Sequence, residues 1–411
     1  MLLIGATVVS AIYVVMRPWL IYIVIVTSMP IVSVFYYVKY GPLSALDLFY
    51  GVIFVSVITS VVLNRKQGFR GAEVAIWYAL VVLAYVVSAL LNNIDLMVPL
   101  DPLIKVGFSV LAYLSVRNFN KPGDEKRLLL ASFISVILFM IGGVLSLAIS
   151  GGERYSSTSY TVGLYADEGS LSRAGVVGVL LSLPLGGLSV EYVKYSWLRY
   201  ATLLGSMMMM GYSVSRNAIL SAVAVLVYYS VNRRKILIAV FVAIAGIIIY
   251  SQSEVIQENL ENKLRREREY FVYGNEQVVE YLGSGRMGRW MSVYEEFEKS
   301  DFLTLMTGMG FGYGPHGQHM EMVLRAGILG ALIVLYQYLR MTKYLLITWR
   351  RKLSEVDYYF GGMLIATWVL FLTATPFYEI YLQVILFGLF AAVLNSADSD
   401  TDIGSRSEIS R

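Results

Sequence analysis

Three short polar stretches in an otherwise apolar chain carry side chains able to do chemistry. Ser213-Val214-Ser215-Arg216-Asn217 is a tight polar turn between two hydrophobic runs. Gly285-Arg286-Met287-Gly288-Arg289-Trp290 sets two arginines beside a glycine break, at the start of an amphipathic run from Arg286 to Lys299. Gly314-Pro315-His316-Gly317-Gln318-His319 holds both histidines of the sequence. Arginine presents a fork of donors that matches phosphate oxygens, and a helix start adds a dipole favourable to an anion. Histidine titrates near neutrality and can take a proton from a hydroxyl. Glu321, Asp167 and Glu168 are rival bases. Each feature also has a plainer reading: Arg216 as a helix-end anchor, Arg286 and Arg289 as a solvated helix start, the histidines as interfacial loop residues. Together, cations for an anionic leaving group and a base for a hydroxyl point to work on an anionic lipid, with apolar elements holding its tail.

The elements that must position these residues are hydrophobic. Only 15% of the 411 residues are charged, against about 25% in ordinary soluble domains; 57% are hydrophobic and mean hydropathy is +0.63. No soluble core can hide that much apolar surface, which excludes a soluble enzyme, a nucleic-acid binder and a disordered chain. The net charge of +4 is too small to argue for a polyanionic partner. Absence of cysteine excludes disulfides, thiolate metal sites and cysteine nucleophiles, and suits an oxidising compartment. With two histidines, a multi-histidine metal centre has no ligands, so neither a metal nor a cofactor is expected. The first residues lack a basic region and a small-residue cleavage site, so no removable signal peptide is expected.

About 20 apolar residues cross a bilayer as a helix. Twelve segments qualify: 18–38, 43–63, 72–91, 95–116, 127–149, 171–189, 197–212, 217–231, 235–251, 320–339, 355–374 and 377–394. A further apolar stretch, 1–16, is short. The expected fold is therefore all-α, a polytopic integral membrane protein with about 12 transmembrane helices and a large outer loop containing short helices.

Orientation follows from lysine and arginine in the short loops. Alternate loops are basic: Arg65, Lys66 and Arg70; Arg117, Lys121, Lys126 and Arg127; Lys194 and Arg199; Arg233, Arg234 and Lys235; then Arg340, Lys343, Arg350, Arg351 and Lys352. Outside the large loop, the intervening connections carry only Lys39, Arg154 and Arg216. The basic side is read as cytoplasmic, which makes Arg216 conspicuous on the other. The chain divides into N-terminal helices (1–251, with a short outer loop at 151–170), a large outer loop (252–319), C-terminal helices (320–395) and a polar tail (396–411) read as cytoplasmic and disordered. In the large loop, Ser253 to Leu282 reads as helix, Gly283-Ser284-Gly285 breaks it, and a glycine-rich run from Thr307 to His319 precedes the next span.

The ordered set Ser215-Arg216, Ser284-Gly285-Arg286 with Trp290, Gly308-x-Gly310, and His316 followed eleven residues on by Gly327-Ile328-Leu329-Gly330 resembles the O-antigen ligase/polymerase superfamily. The topological likeness covers most of the chain, and the motif content lies between Arg216 and Gly330. The match selects His316 over His319 and Arg286 over Arg289. It departs from the family at Gly317, where Asn, Ser or Gln is usual, with Gln318 able to replace the amide. It also aligns Tyr160 to Tyr165, ahead of Arg173, with a stretch lining the outer cavity.

The resemblance implies a metal-independent, inverting, GT-C-like glycosyltransferase of the bacterial inner membrane, its active site facing the periplasm. Donor and acceptor would be undecaprenyl-diphosphate-linked oligosaccharides in membrane lipid, with a chain-length regulator and a flippase as further partners and no nucleic acid. Arg216 and Arg286 would bind the diphosphate and His316 would deprotonate or orient the acceptor hydroxyl; Arg289, His319, Arg173 and Glu321 would bind substrate. The departure at Gly317 and the 31 tyrosines favour polymerisation of O-antigen repeat units over ligation to the lipid A core. A lipid-linked oligosaccharide flippase is the rival from another class, with Asp47 and the pair Asp101/Lys105 as its candidate membrane charges.

Overall fold

A computed structural model describes residues 17–34, 39–40, 43–44, 51–60 except 57, 70–150 except 122, 168–183, 196–233 except 214, 290–310, 318–349, 354–373 and 380–409, besides a few single positions. Its helices are α1 (Ile21–Val34), α2 (Ala72–Leu91), α3 (Met97–Phe119), α4 (Glu125–Ser150), α5 (Glu168–Ser182), α6 (Ser196–Ser213), α7 (Arg216–Arg233), α8 (Phe302–Thr307), α9 (Gln318–Trp349), α10 (Glu355–Thr373) and α11 (Ile380–Ile409). A further helical stretch covers 290–298. The one sheet among the described residues is a two-residue antiparallel pair, Lys39–Tyr40 with Leu43–Ser44.

The expected span 235–251 and the stretch 1–16 lie almost wholly outside the described residues; within 43–63, residues 51–60 except 57 are helical, and every other expected span coincides with a helix. Among the described residues, five helices are long and apolar enough to cross a membrane. Outward faces confirm the solvent they are built for. Ile76, Leu80, Leu83, Val87 and Leu90 form an exposed apolar stripe on α2, and Leu329, Leu332, Tyr336 and Leu339 form one on α9. A helix that turns leucine outward at every turn is matched to lipid, not to water.

Two boundaries differ from expectation. The segment expected over 320–339 is a helix from Gln318 to Trp349, broken internally at Ala326 and Gly327. The tail 396–411, expected to be disordered, instead continues α11 as helix to Ile409. Polar residues at that point are held by partners elsewhere in the chain: Asn395 Nδ2 donates to Val116 O at 2.9 Å, and Ser396 Oγ lies 2.6 Å from Glu125 Oε1.

Without a hydrophobic force between helices in lipid, packing depends on small residues that admit close approach. Gly175 and Gly178 of α5 face Ser206 and Met210 of α6; Gly362 of α10 faces Leu180, and Gly388 of α11 faces the Tyr22 ring. Of the five long apolar helices, α11 is the most enclosed, with 83% of its apolar window buried, so it forms the centre of the bundle.

The bundle has two chemically distinct ends. At one, Arg117 donates to Asn395 Oδ1 at 2.5 Å and to Asp398 Oδ2 at 2.7 Å, Arg70 approaches Asp398 at 3.8 Å, and Arg340 pairs with Glu73 at 3.1 Å. Arg127 joins this end, pairing with Asp124 at 3.2 Å and lying over the Trp19 ring at 5.4 Å. Basic residues from separate loops are thus gathered at one end. The other end is built from Asn92 after α2, Gly308 and Gly310 after α8, and the start of α9.

Antiparallel packing assigns the remaining helix ends. Glu73 faces Arg340 and Trp77 Nε1 donates to Ile333 O at 2.7 Å, so α9 starts where α2 finishes. Ser221 Oγ donates to Ala366 O, whereas Tyr228 faces Gly361, so the start of α7 lies beside the finish of α10, at the end opposite the arginines. Arg199 donates to Leu183 O at 2.8 Å at the reverse end of the α5–α6 pair, which leaves the start of α5 at that same glycine-rich end.

Because the chain has no cysteine, single cysteines report this two-ended arrangement cleanly. In sealed vesicles, Leu96→Cys and Lys121→Cys are expected to react with an impermeant maleimide from opposite sides. Labelling of both from one side would contradict the two ends described.

Candidate functional site

At the glycine end two segments interlock backbone against backbone. Gly308 ends α8 with φ 83°, and Gly310 follows with φ 78°. Gly327 breaks α9 with φ 65° and ψ −171°. These are conformations that side chains disfavour, and here space excludes a side chain as well. A Cβ on Gly327 would strike the Met306 carbonyl and the Gly308 nitrogen; one on Gly308 would strike the backbone of Ala326 and Gly327. The two glycine elements, far apart as a pattern, are one contact.

Hydrogen bonds fix the contact. The break at Ala326 and Gly327 interrupts the helical ladder, and Met309 N–H supplies Leu324 O with a donor at 2.7 Å. Asn92 Nδ2 donates to both Gly308 O at 2.9 Å and Ser88 O at 2.8 Å, tying the knot to the end of α2. Gly310 packs against Ala89 Cα and Ser88 O. Asp301 caps α8, its Oδ1 accepting from Thr304 N–H at 2.8 Å. That backbone hydrogen bond holds the Asp301 carboxyl below its ordinary value. The cap's contribution is therefore present above the ordinary aspartate value and is lost as pH falls through the lowered one.

Five of the residues nominated from sequence share this end with the knot. Arg216 is the first residue of α7, preceded by Ser215, whose Oγ accepts from Ala218 N–H at 3.4 Å as a helix N-cap. Arg173 sits half-buried in the second turn of α5. Glu321 lies one turn into α9, only 3% exposed, with Oε1 2.6 Å from Arg325 Nε. Its second oxygen, Oε2, is buried and has no hydrogen-bond partner. His319 occupies the first turn of α9, and Glu168 is the first residue of α5. Arg286, Arg289, His316, Asp167, Asp47 and the stretch Tyr160 to Tyr165 lie outside the described residues. Asp101 and Lys105 stand one turn apart in the first half of α3. Among the described residues no group of three or more His, Cys, Asp or Glu is placed to hold a metal ion.

Sequence reasoning missed two members of this end. Arg325 stands four residues after Glu321, a spacing that pairs opposite charges on one helix face and was readable. Asn92 follows an apolar run in Leu91-Asn92-Asn93, a helix-ending pattern, and Asn93 takes φ 53°. Its bond to Gly308, 216 positions away, leaves no local signal.

No protein-family model and no curated protein matches this sequence.

Gly327→Ala is expected to lower the melting midpoint in detergent sharply, since left-handed strain alone costs on the order of 1–3 kcal/mol before the backbone clash is counted. Asn92→Ala should cost about 1–3 kcal/mol through the orphaned Gly308 carbonyl. A Gly327→Ala protein melting with the wild type would show that the backbone contact does not constrain the fold.

Proposed function

We propose that this chain is a membrane glycosyltransferase that polymerises undecaprenyl-diphosphate-linked O-antigen repeat units on the outer face of the bacterial inner membrane. The observation that carries the reading is the Gly308–Gly327 contact. Two glycine elements that the family resemblance couples by order alone are coupled here by backbone contact, and Arg216, Arg173 and Glu321 lie at the same end of the bundle.

The charge distribution supports the orientation. Arginines from three connections gather at one end, which the positive-inside bias assigns to the cytoplasm and which leaves the glycine end outside. Helix directions support twelve spans. The finish of α1 and the start of α2 lie at opposite ends, as do the finish of α7 and the start of α8, and each interval contains one apolar segment, 43–63 or 235–251.

In this reading Arg216 and Arg286 bind the donor diphosphate and stabilise the charge that grows on it as the glycosidic bond breaks. His316 takes the proton of the acceptor hydroxyl as that oxygen attacks the anomeric carbon from the opposite face, inverting it. The lipid diphosphate leaves. Ligation to the lipid A core would use the same donor machinery with another acceptor.

Loss of a diphosphate-holding arginine is expected to cost about 2–4 kcal/mol of transition-state stabilisation, or roughly 30- to 900-fold in rate. Cells carrying Arg216→Ala, Arg286→Ala or His316→Ala at normal protein levels should therefore lose the polymer ladder. Full ladders from His316→Ala would end the proposed mechanism.

A further inference from the structure

Beside the glycine knot the surface turns apolar. Phe302 and Leu303 open α8 and are 76% and 54% exposed. In the preceding helical stretch, 290–298, Met291 and Tyr294 share the outward face one turn apart, while Val293 is buried. The approach to α8 is polar, with Glu298 and Asp301 both exposed. α8 is held at both ends, by the Asp301 cap and by Gly308 against Gly327, which fixes Phe302 and Leu303 on the outside.

α2 measures the depth of this patch. Its 20 residues rise about 30 Å, the thickness of a bilayer's hydrocarbon core. No charged residue occurs between Glu73, at the basic end, and Asp95, so the hydrocarbon lies between those two. Asn92, at the finish of α2, donates to Gly308 O at 2.9 Å, which sets the finish of α8 at the hydrocarbon edge. α8 rises only about 9 Å, so Phe302 stays in the headgroup layer or beside it.

We propose that Phe302 and Leu303, with Tyr294 and Met291 beside them, dock into the headgroup–acyl boundary of the leaflet at the glycine end. α8 sits on α2 and α9, the helices that carry the lipid-facing stripes. Leu91 of α2 and Leu329 of α9, both exposed, adjoin in sequence the residues that α8 and its cap touch. The patch thus continues an apolar surface already given over to lipid. Aromatic and leucine side chains beside a charged approach are the chemistry of an element seated at the boundary, apolar enough to enter acyl chains and too short to cross them. A protein partner is the weaker fit, because a stable interface takes about 20–30 residues from each side and four side chains make up this patch. Docked in this way, the bilayer surface holds α8, and through Gly308 the break in α9, at one depth. Nothing in this placement depends on glycosyl transfer.

The chain has no cysteine, so each single-cysteine variant carries one nitroxide. Phe302→Cys, Leu303→Cys, Glu298→Cys and Leu83→Cys are spin-labelled in the full chain and reconstituted in vesicles of phosphatidylethanolamine and phosphatidylglycerol. Collisions of each label are read with oxygen, which concentrates in the bilayer, and with a water-soluble nickel chelate. Glu298 gives the aqueous reference, and Leu83, exposed midway along α2, gives the bilayer reference. The oxygen-to-nickel ratio at positions 302 and 303 is expected several-fold above that at 298 and below that at 83. Leu303→Cys carries the test where Phe302→Cys does not fold. Ratios equal to that at 298 put the patch in water and overturn the docking. Exclusion of both agents overturns it too: spin–spin broadening then identifies a second copy as the occupant, and its absence identifies another segment or a bound protein.

Discussion

The close approach of Gly308 and Gly327 is the constraint on which the glycine end depends. Irregular backbone at the edge of a bilayer is tolerated only where its polar groups find partners within the protein. Here the break in α9 is filled by Met309 N–H, and the carbonyl of Gly308 is filled by Asn92. Both bonds require the two backbones to touch, and that contact requires both residues to lack a side chain. One steric condition thus ties α2, α8 and α9 together. It also sets where Glu321 stands, because the turn that carries Glu321 ends at the pinned Leu324 carbonyl.

The opposite end is organised by charge. Arg117 reaches both Asn395 and Asp398, and Arg70 reaches Asp398 as well, so the central helix α11 is fastened to α3 where it leaves the apolar zone. One end is thus held by long, wet, charged side chains and the other by dry backbone contact.

Most of the helical framework was legible because lipid imposes a length on each apolar run, and runs such as 72–91 and 355–374 reappear almost residue for residue as α2 and α10. What was not legible depends on distant partners. Ser396 and Asp398 read locally as part of a tail, yet Glu125 and Arg117 are their partners in helix. Gly327 read as a motif position, but its broken helix follows from a backbone 19 positions earlier. Arg325 differs: its pair with Glu321 is local, four residues apart, and the sequence reading passed it over. The turn at Ser215-Arg216 was read correctly as a junction between helices, because polar residues seldom interrupt two apolar runs without one.

The central claim is that the glycine end joins one lipid-linked glycan to another. The most direct measurement incubates the purified chain with a single substrate, a synthetic undecaprenyl-diphosphate repeat unit, and resolves the products by size. The account predicts a ladder of glycans with no lipid A present. Absence of any product until lipid A core is added would contradict it and assign the site to ligation.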